Sequence, residues 1–357
     1  MLAHMSWNAQ RTSPIPFFRN GRCRSKRVDA EEPVSKIPRL SDSANDTGYL
    51  STSPASPVSA ASPGTPASHQ GLSRICQFLL LPVSDREGVH SALHINTGEE
   101  FVCKVFSLKH YQEKIRPHTI VPAHKNISQI KDIVLGDQMA YVFFEKDFGD
   151  MHTFVKGCKK LNETQASGLF RQIVSAVSHC HQSGIVLGDL KLRKFVFADE
   201  KRTHLKLESL EETRVLEGED DSVSHKHGCP AYVSPEILNA TSTYSGKQAD
   251  VWSLGVMLYT LLVGRYPFHD SDPSALFSKI RRGQYCIPES VSPKAKCLIR
   301  SLLRREPGER LTAAEILIHP WFQSFQDLES PGQESEAGDQ TVPTFHLDED
   351  ETMALFC

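Results

Sequence analysis

The sequence has no apolar run approaching the roughly 20 residues needed to cross a bilayer. Its longest, from Val251 to Val263, is interrupted by Ser253, Tyr259 and Thr260 and predicts a buried core helix. The N-terminus has no apolar segment of the secretory kind, so secretion is not expected. The nine cysteines are scattered, with no Cys-x-x-Cys pair and no zinc spacing. That pattern argues for reduced thiols instead of a disulfide framework or a structural metal. Cys357 is the last residue, not the fourth from the end, so it is no prenylation signal. An excess of either charge is missing too: 40 Lys and Arg face 43 Asp and Glu, a net charge of −3. Neither a membrane nor a nucleic acid is expected as a partner.

What is present is unevenly spread. Residues 1–70 hold eight prolines and twelve serines with few large apolar side chains, so the region 1–71 is expected to be disordered. Arg19, Arg22, Arg24, Lys26 and Arg27 form a basic cluster there, readable as a nuclear localisation signal or as a solvated run. Residues 323–357 hold nine Asp or Glu and no Lys or Arg, an acidic tail. The apolar patterning lies between, over 72–322. Gln77–Val83, Phe101–Phe106 and Ala140–Phe144 read as strands, and Asn96-Thr97-Gly98 as a turn. Beyond Gly149 the period changes. Ala166, Leu169, Phe170, Ile173, Val174, Val177 and Cys180 follow helical spacing, with Gly184 as the stop. The segments 247–263, 273–282, 292–303 and 312–318 also read as helices. Strands first and helices after predict an α+β fold, with a β-rich lobe over about 72–145 and a helical lobe over about 146–322.

A motif series runs through this region. Lys104 lies in the strand Phe101–Val105, and Leu187-Gly188-Asp189-Leu190-Lys191-Leu192-Arg193-Lys194 follows the long helix. Ser234-Pro235-Glu236, then Asp250 within Ala249–Gly255, Tyr266-Pro267-Phe268 and Arg310 come after it. In order and spacing the series resembles the bilobal protein kinases. That resemblance implies structural roles for Asp250, which would hold the catalytic loop, and for Glu236 paired with Arg310.

The same alignment puts catalysis in doubt. Phosphoryl transfer depends on positioning and on metal ions that neutralise the phosphates. Ser209-Leu210-Glu211 stands where active kinases carry Asp-Phe-Gly, and a serine is a poor ligand for a hard cation. Lys194 stands at the second metal ligand, where its ammonium repels the ion. The loop Val83–Gly88 has one glycine and two carboxylates in place of a phosphate cradle. Gly188 replaces the arginine that reads a phosphorylated activation loop. Glu113 is the one expected helix partner for Lys104, on a shortened helix. Lys104, Asp189 and Lys191 thus read as vestigial and Lys194, Ser209, Leu210 and Glu211 as degenerate. No catalysis, metal or cofactor is expected.

This constellation, with Lys226-His227-Gly228-Cys229-Pro230-Ala231-Tyr232 and the tail Asp339–Pro343, resembles the Tribbles pseudokinases. The resemblance implies an adaptor of the nucleus and cytoplasm that docks a substrate, typically a C/EBP-family transcription factor, near 209–236. Asp339, Gln340, Val342 and Pro343 match the family's motif for an E3 ubiquitin ligase of the constitutive photomorphogenic type, which would direct the substrate to degradation. Ile316, Leu317, His319, Pro320, Trp321 and Phe322 match a segment linked to mitogen-activated protein kinase kinases. The same segment closes the helical lobe of ordinary kinases, so a core role is the alternative. The tail is further implied to fold back on the shortened helix. Two other readings stay open: a weak metal-independent Ser/Thr kinase, and a pure inhibitor of signalling kinases.

Overall fold

The computed structural model describes residues 73–83, 88–218, 220–224, 229–239 and 243–324. The basic cluster, the ligase motif and most of the loop 84–88 lie outside them, as do residues 226–228.

The N-terminal lobe is a six-stranded sheet in the order β1-β2-β3-β4-β6-β5, with all neighbours antiparallel. Its strands are β1 (Ser73–Ile75), β2 (Phe78–Pro82), β3 (Val89–His94), β4 (Glu100–Ser107), β5 (Ile130–Leu135) and β6 (Met139–Glu145). One helix, α1 (Tyr111–Ile120), packs on it. The two-residue period of a strand sorts β6 between two clusters. Ala140, Val142 and Phe144 pack with Tyr111 and Ile115 of α1, while Phe143 packs with Phe78, Leu80, Ala92 and Cys103 on the other face. Lys104 lies opposite Val142 in the β4–β6 register, so it shares the α1 face and Cys103 does not. The expected turn at 96–98 closes the β3–β4 hairpin, with Gly98 at φ 73°. Strands β1, β3 and β5 were not legible in the pattern. Val89–His94 carries two histidines and a serine, and it buries only Ala92.

The C-terminal lobe is helical: α2 (Met151–Cys158), α3 (Glu163–Gln182), α4 (Pro235–Asn239), α5 (Gly246–Val263), α6 (Pro273–Arg282), α7 (Pro293–Leu302), α8 (Ala313–Leu317) and α9 (Pro320–Gln323). All seven periodic residues of α3 are buried. Its first turn is capped by Asn162, which accepts from the Gln165 amide at 2.8 Å. Helix α5 is buried almost all round, as its apolar run predicts, and forms the axis of the core with Trp252, Leu254, Val256 to Tyr259 and Leu261. Gly264 ends it in the left-handed conformation, φ 80°. A Cβ there would lie 2.1 Å from the Lys159 carbonyl, so the α5 terminus can seat against the end of α2 only with glycine.

Candidate functional site

The cleft between the lobes is built from four segments. Strand β4 delivers Lys104. Helix α1 delivers His118. The loop after the short strand Ile185–Val186 delivers Asp189 to Lys194, and the stretch after Leu205–Leu207 delivers Glu208 to Glu212.

Asp250 organises the loop from below. It is 1% exposed and accepts from the amides of Leu187 at 2.8 Å and Gly188 at 2.9 Å. It also meets His181 Nε2 at 2.9 Å. Gly188 has φ 72°, a backbone state that an arginine would adopt only with strain. The glycine is therefore part of how this loop reaches Asp250. Glu236 and Arg310 meet as a bidentate pair at 2.6 and 2.7 Å.

Lys104 is spent within the protein. Its ammonium donates to Glu211 at 3.1 Å and lies 3.6 Å from Glu208, with 12% of the side chain exposed. It also lies 5.2 Å from the centre of the Phe144 ring. This corrects the expected pair with Glu113, which is exposed on α1 and is not within ion-pair distance of Lys104. The reason lies in the helix: α1 has ten residues, no side-chain N-cap and Pro117 in its last turn. It presents His118, not Glu113, towards the lysine. His118 Nε2 accepts from the Leu210 amide at 3.2 Å. Leu210 is fully buried in the core of the helical lobe. The apolar anchor of the old Asp-Phe-Gly position is thus kept while its flanking residue turns a carboxylate onto the lysine.

Electrostatics follow from this packing. Burial pushes the Glu211 carboxyl upward, but Lys104, the Ser209 hydroxyl and His118 together hold it below the ordinary range. Burial and the Lys104 charge push His118 down to about 4, against the upward pull of Glu211. One lysine faces two carboxylates, so a triphosphate entering here would meet net negative charge.

The metal positions do not fit a metal. Ser209 offers a neutral hydroxyl, and Lys194 places an ammonium 3.5 Å from Glu212. Asp189 is held by Lys191 at 2.5 Å, leaving its other oxygen buried and without a partner among the described residues. Neither metal position, Ser209 or Lys194, offers a carboxylate to a hard cation.

The comparisons with known proteins agree with the geometry. The protein kinase domain model matches residues 87–322. Tribbles homolog 1 of Homo sapiens is 63% identical over 338 residues, covering 92% of this chain and 90% of that protein. The chain belongs to the Tribbles family. Tribbles homolog 2 of Canis lupus familiaris is 56% identical, covering 96% of this chain and 98% of that protein. Tribbles homolog 3 of Mus musculus is 45% identical over 93% and 95%. The family is one of pseudokinases, and the Lys104 arrangement gives that description a physical basis in this member.

Two site residues, Glu208 and His118, were missed in the sequence. The signal for the first was available: Glu208 and Glu211 bracket the degenerate metal position. The signal for the second was not, since His118 acts across 92 positions.

The proposed kinase-kinase segment needs a correction. Ile316, Trp321 and Phe322 are 0%, 0% and 1% exposed, so they are core. Ile318, 72% exposed, with the half-buried His319 and the exposed Pro320, is the surface that segment offers.

A pH response follows from His118. Its folded pKa lies below the ordinary value of 6.5, so the folded state binds fewer protons than the unfolded one between 6.5 and about 4. Stability is complete above 6.5 and falls on acidification by up to about 1.4 kcal/mol per pH unit. Melting curves across this range should show that slope, and His118→Gln should flatten it while lowering the plateau.

Proposed function

We propose that this Tribbles protein is a non-catalytic adaptor of the nucleus and cytoplasm. Its helical lobe docks a C/EBP-family transcription factor, and Asp339, Gln340, Val342 and Pro343 recruit an E3 ubiquitin ligase of the constitutive photomorphogenic type. The docked factor is then ubiquitinated and degraded by the proteasome. A mitogen-activated protein kinase kinase is the second partner, engaged through the Ile318–Pro320 surface, by which the protein modulates that signalling pathway.

The observation that carries the reading is the fate of Lys104. A kinase spends this residue on phosphate; here Glu211 and Glu208 hold it. The substrate arm is supported by a cleft of about 710 Å³ beside the former catalytic loop, bordered by Lys114, Gly188, Arg214, Cys229 and Tyr244. The ligase arm is supported by chemistry: one aliphatic and one proline contact in an acidic segment suit a shallow propeller pocket.

The ligase arm is tested with a peptide spanning 335–348 and the ligase's propeller domain. Val342→Ala with Pro343→Ala should weaken binding by about a hundredfold or more, since two anchor side chains are removed together. Equal binding by the double variant would remove the main support for recruitment.

A further inference from the structure

A separate cavity of about 310 Å³ lies in the helical lobe, where the ends of α4 and α6 meet the turn after Arg304. It shares no lining residue with the cleft between the lobes. Arg281 and Arg305 both line it, with Asn239 and Thr243, whose side chains carry an amide and a hydroxyl. Two carboxylates line it as well. Glu236 is already neutralised by its bidentate pair with Arg310. Glu306 is exposed, and among the described residues no carboxylate lies within ion-pair distance of Arg281 or Arg305. Two guanidiniums therefore face one uncompensated carboxylate, in a chain whose net charge is −3. Arg282 and Arg304, exposed beside them in sequence, raise the positive potential at the mouth.

The interior of the lobe holds this pair in place. Arg310 donates from Nε to the Arg304 carbonyl at 2.8 Å and from Nη2 to the Arg305 carbonyl at 3.2 Å, which fixes the backbone that carries Arg305. Helix α6 ends at Gly283 in the left-handed conformation, φ 62°. A Cβ at Gly283 would lie 3.0 Å from Arg305 Cγ, so the stem of Arg305 rests on the bare backbone of that turn. Arg281 leaves the last turn of the same helix. Folding thus brings two guanidiniums to one small volume and meets part of the ordering cost of binding in advance.

We propose that this cavity is a phosphate-monoester site that takes a phosphorylated serine or threonine of a partner protein. A phosphate monoester brings close to two negative charges and three strong acceptor oxygens. Guanidinium forks match it bidentately, and the Asn239 amide and Thr243 hydroxyl supply further donors. A carboxylate has one charge and two oxygens, and satisfies fewer of these groups. A free phosphate ion would leave most of the volume to water. A phosphorylated side chain also brings its flanking backbone to a mouth that Asn239, Thr243 and Glu306 leave exposed. The site is apart from the cleft and from residues 339–343, so it adds the phosphorylation state of a partner to what this protein recognises.

The experiment immobilises the full-length protein and offers it two degenerate heptapeptide pools, one with a fixed central phosphoserine and one with serine there. The phosphorylated pool should be retained about tenfold better or more. R281A/R305A should bring that ratio close to one at an unchanged melting midpoint, since both side chains are exposed. R281K/R305K keeps the charge but loses the forks, and should keep less than about a third of the preference. K125A/K160A removes the same charge from exposed positions outside the cavity and should leave the preference intact. Equal retention of the two pools by the unmodified protein would overturn the proposal, even if inorganic phosphate alone binds, because the cavity would then hold a free anion. A loss in K125A/K160A equal to that in R281A/R305A would also overturn it, by reducing the effect to diffuse charge. So would equal retention of a pool with glutamate at the centre, which would assign the cavity to plain acidic segments.

Discussion

Glu236→Ala should destabilise the helical lobe by about 3–5 kcal/mol, because it strands a buried guanidinium. Arg310 has a side-chain exposure of 0% and makes its two shortest hydrogen bonds to Glu236. Its remaining donors reach the carbonyls of Gln248 at 2.8 Å, Arg304 at 2.8 Å and Arg305 at 3.2 Å, and its plane lies 5.0 Å from the Trp252 ring. Those carbonyls share the charge but do not neutralise it. For a domain of this size the midpoint should fall by about 10 °C. Glu236→Gln should cost less, since it keeps acceptor geometry and loses only charge. A midpoint change below about 2 °C for the alanine variant would mean that the pair is solvated and contributes little.

Trp321→Ala should have an effect of similar size, about 3–5 kcal/mol, by a different mechanism. The indole is fully buried against Phe170 and Phe322, and its Nε1 donates to Glu163 at 3.0 Å. Removing it leaves a cavity and takes one donor from a carboxylate that also caps the approach to α7. Thermal melting should separate this variant from Ile318→Asp and His319→Ala, which alter exposed or half-buried side chains and should stay within about 1 kcal/mol of the parent. The distinction matters for partner mapping. Loss of kinase-kinase binding by Trp321→Ala reports a damaged lobe. Loss by Ile318→Asp at an unchanged midpoint reports a contact. An unchanged midpoint for Trp321→Ala would show that the segment is not core.

The contrast between these two sites shows what a sequence discloses. The helix over 246–263 was readable as an apolar run, and those over 273–282 and 293–302 because burial of one face imposes a local period. The Glu236–Arg310 pair was readable through family resemblance, since its two ends lie in motifs of fixed order. The core status of Trp321 was one of two readings, because an apolar cluster at a chain turn serves packing and docking equally well. The partner of Lys104 was not readable. The contact that replaces Glu113 spans 107 positions and depends on which residues α1 presents to the cleft. Sequence order pointed to Glu113 alone, and the fold brings Glu208 and Glu211 to the lysine instead.

The protein's own carboxylates, Glu211 and Glu208, occupy the lysine of the cleft, which leaves a metal-bound nucleotide no cation to meet there. Titration calorimetry of the full-length protein with ATP, in the presence and absence of Mg²⁺, tests it most directly. No binding is expected at millimolar nucleotide, or weak binding that Mg²⁺ does not strengthen. Glu208→Gln with Glu211→Gln should raise metal-free affinity by about tenfold, a gain of about 1.4 kcal/mol from the released lysine. Tight binding by the unmodified protein that requires Mg²⁺ would contradict it, since Ser209 and Lys194 could not then be the residues that decide the fate of the phosphates.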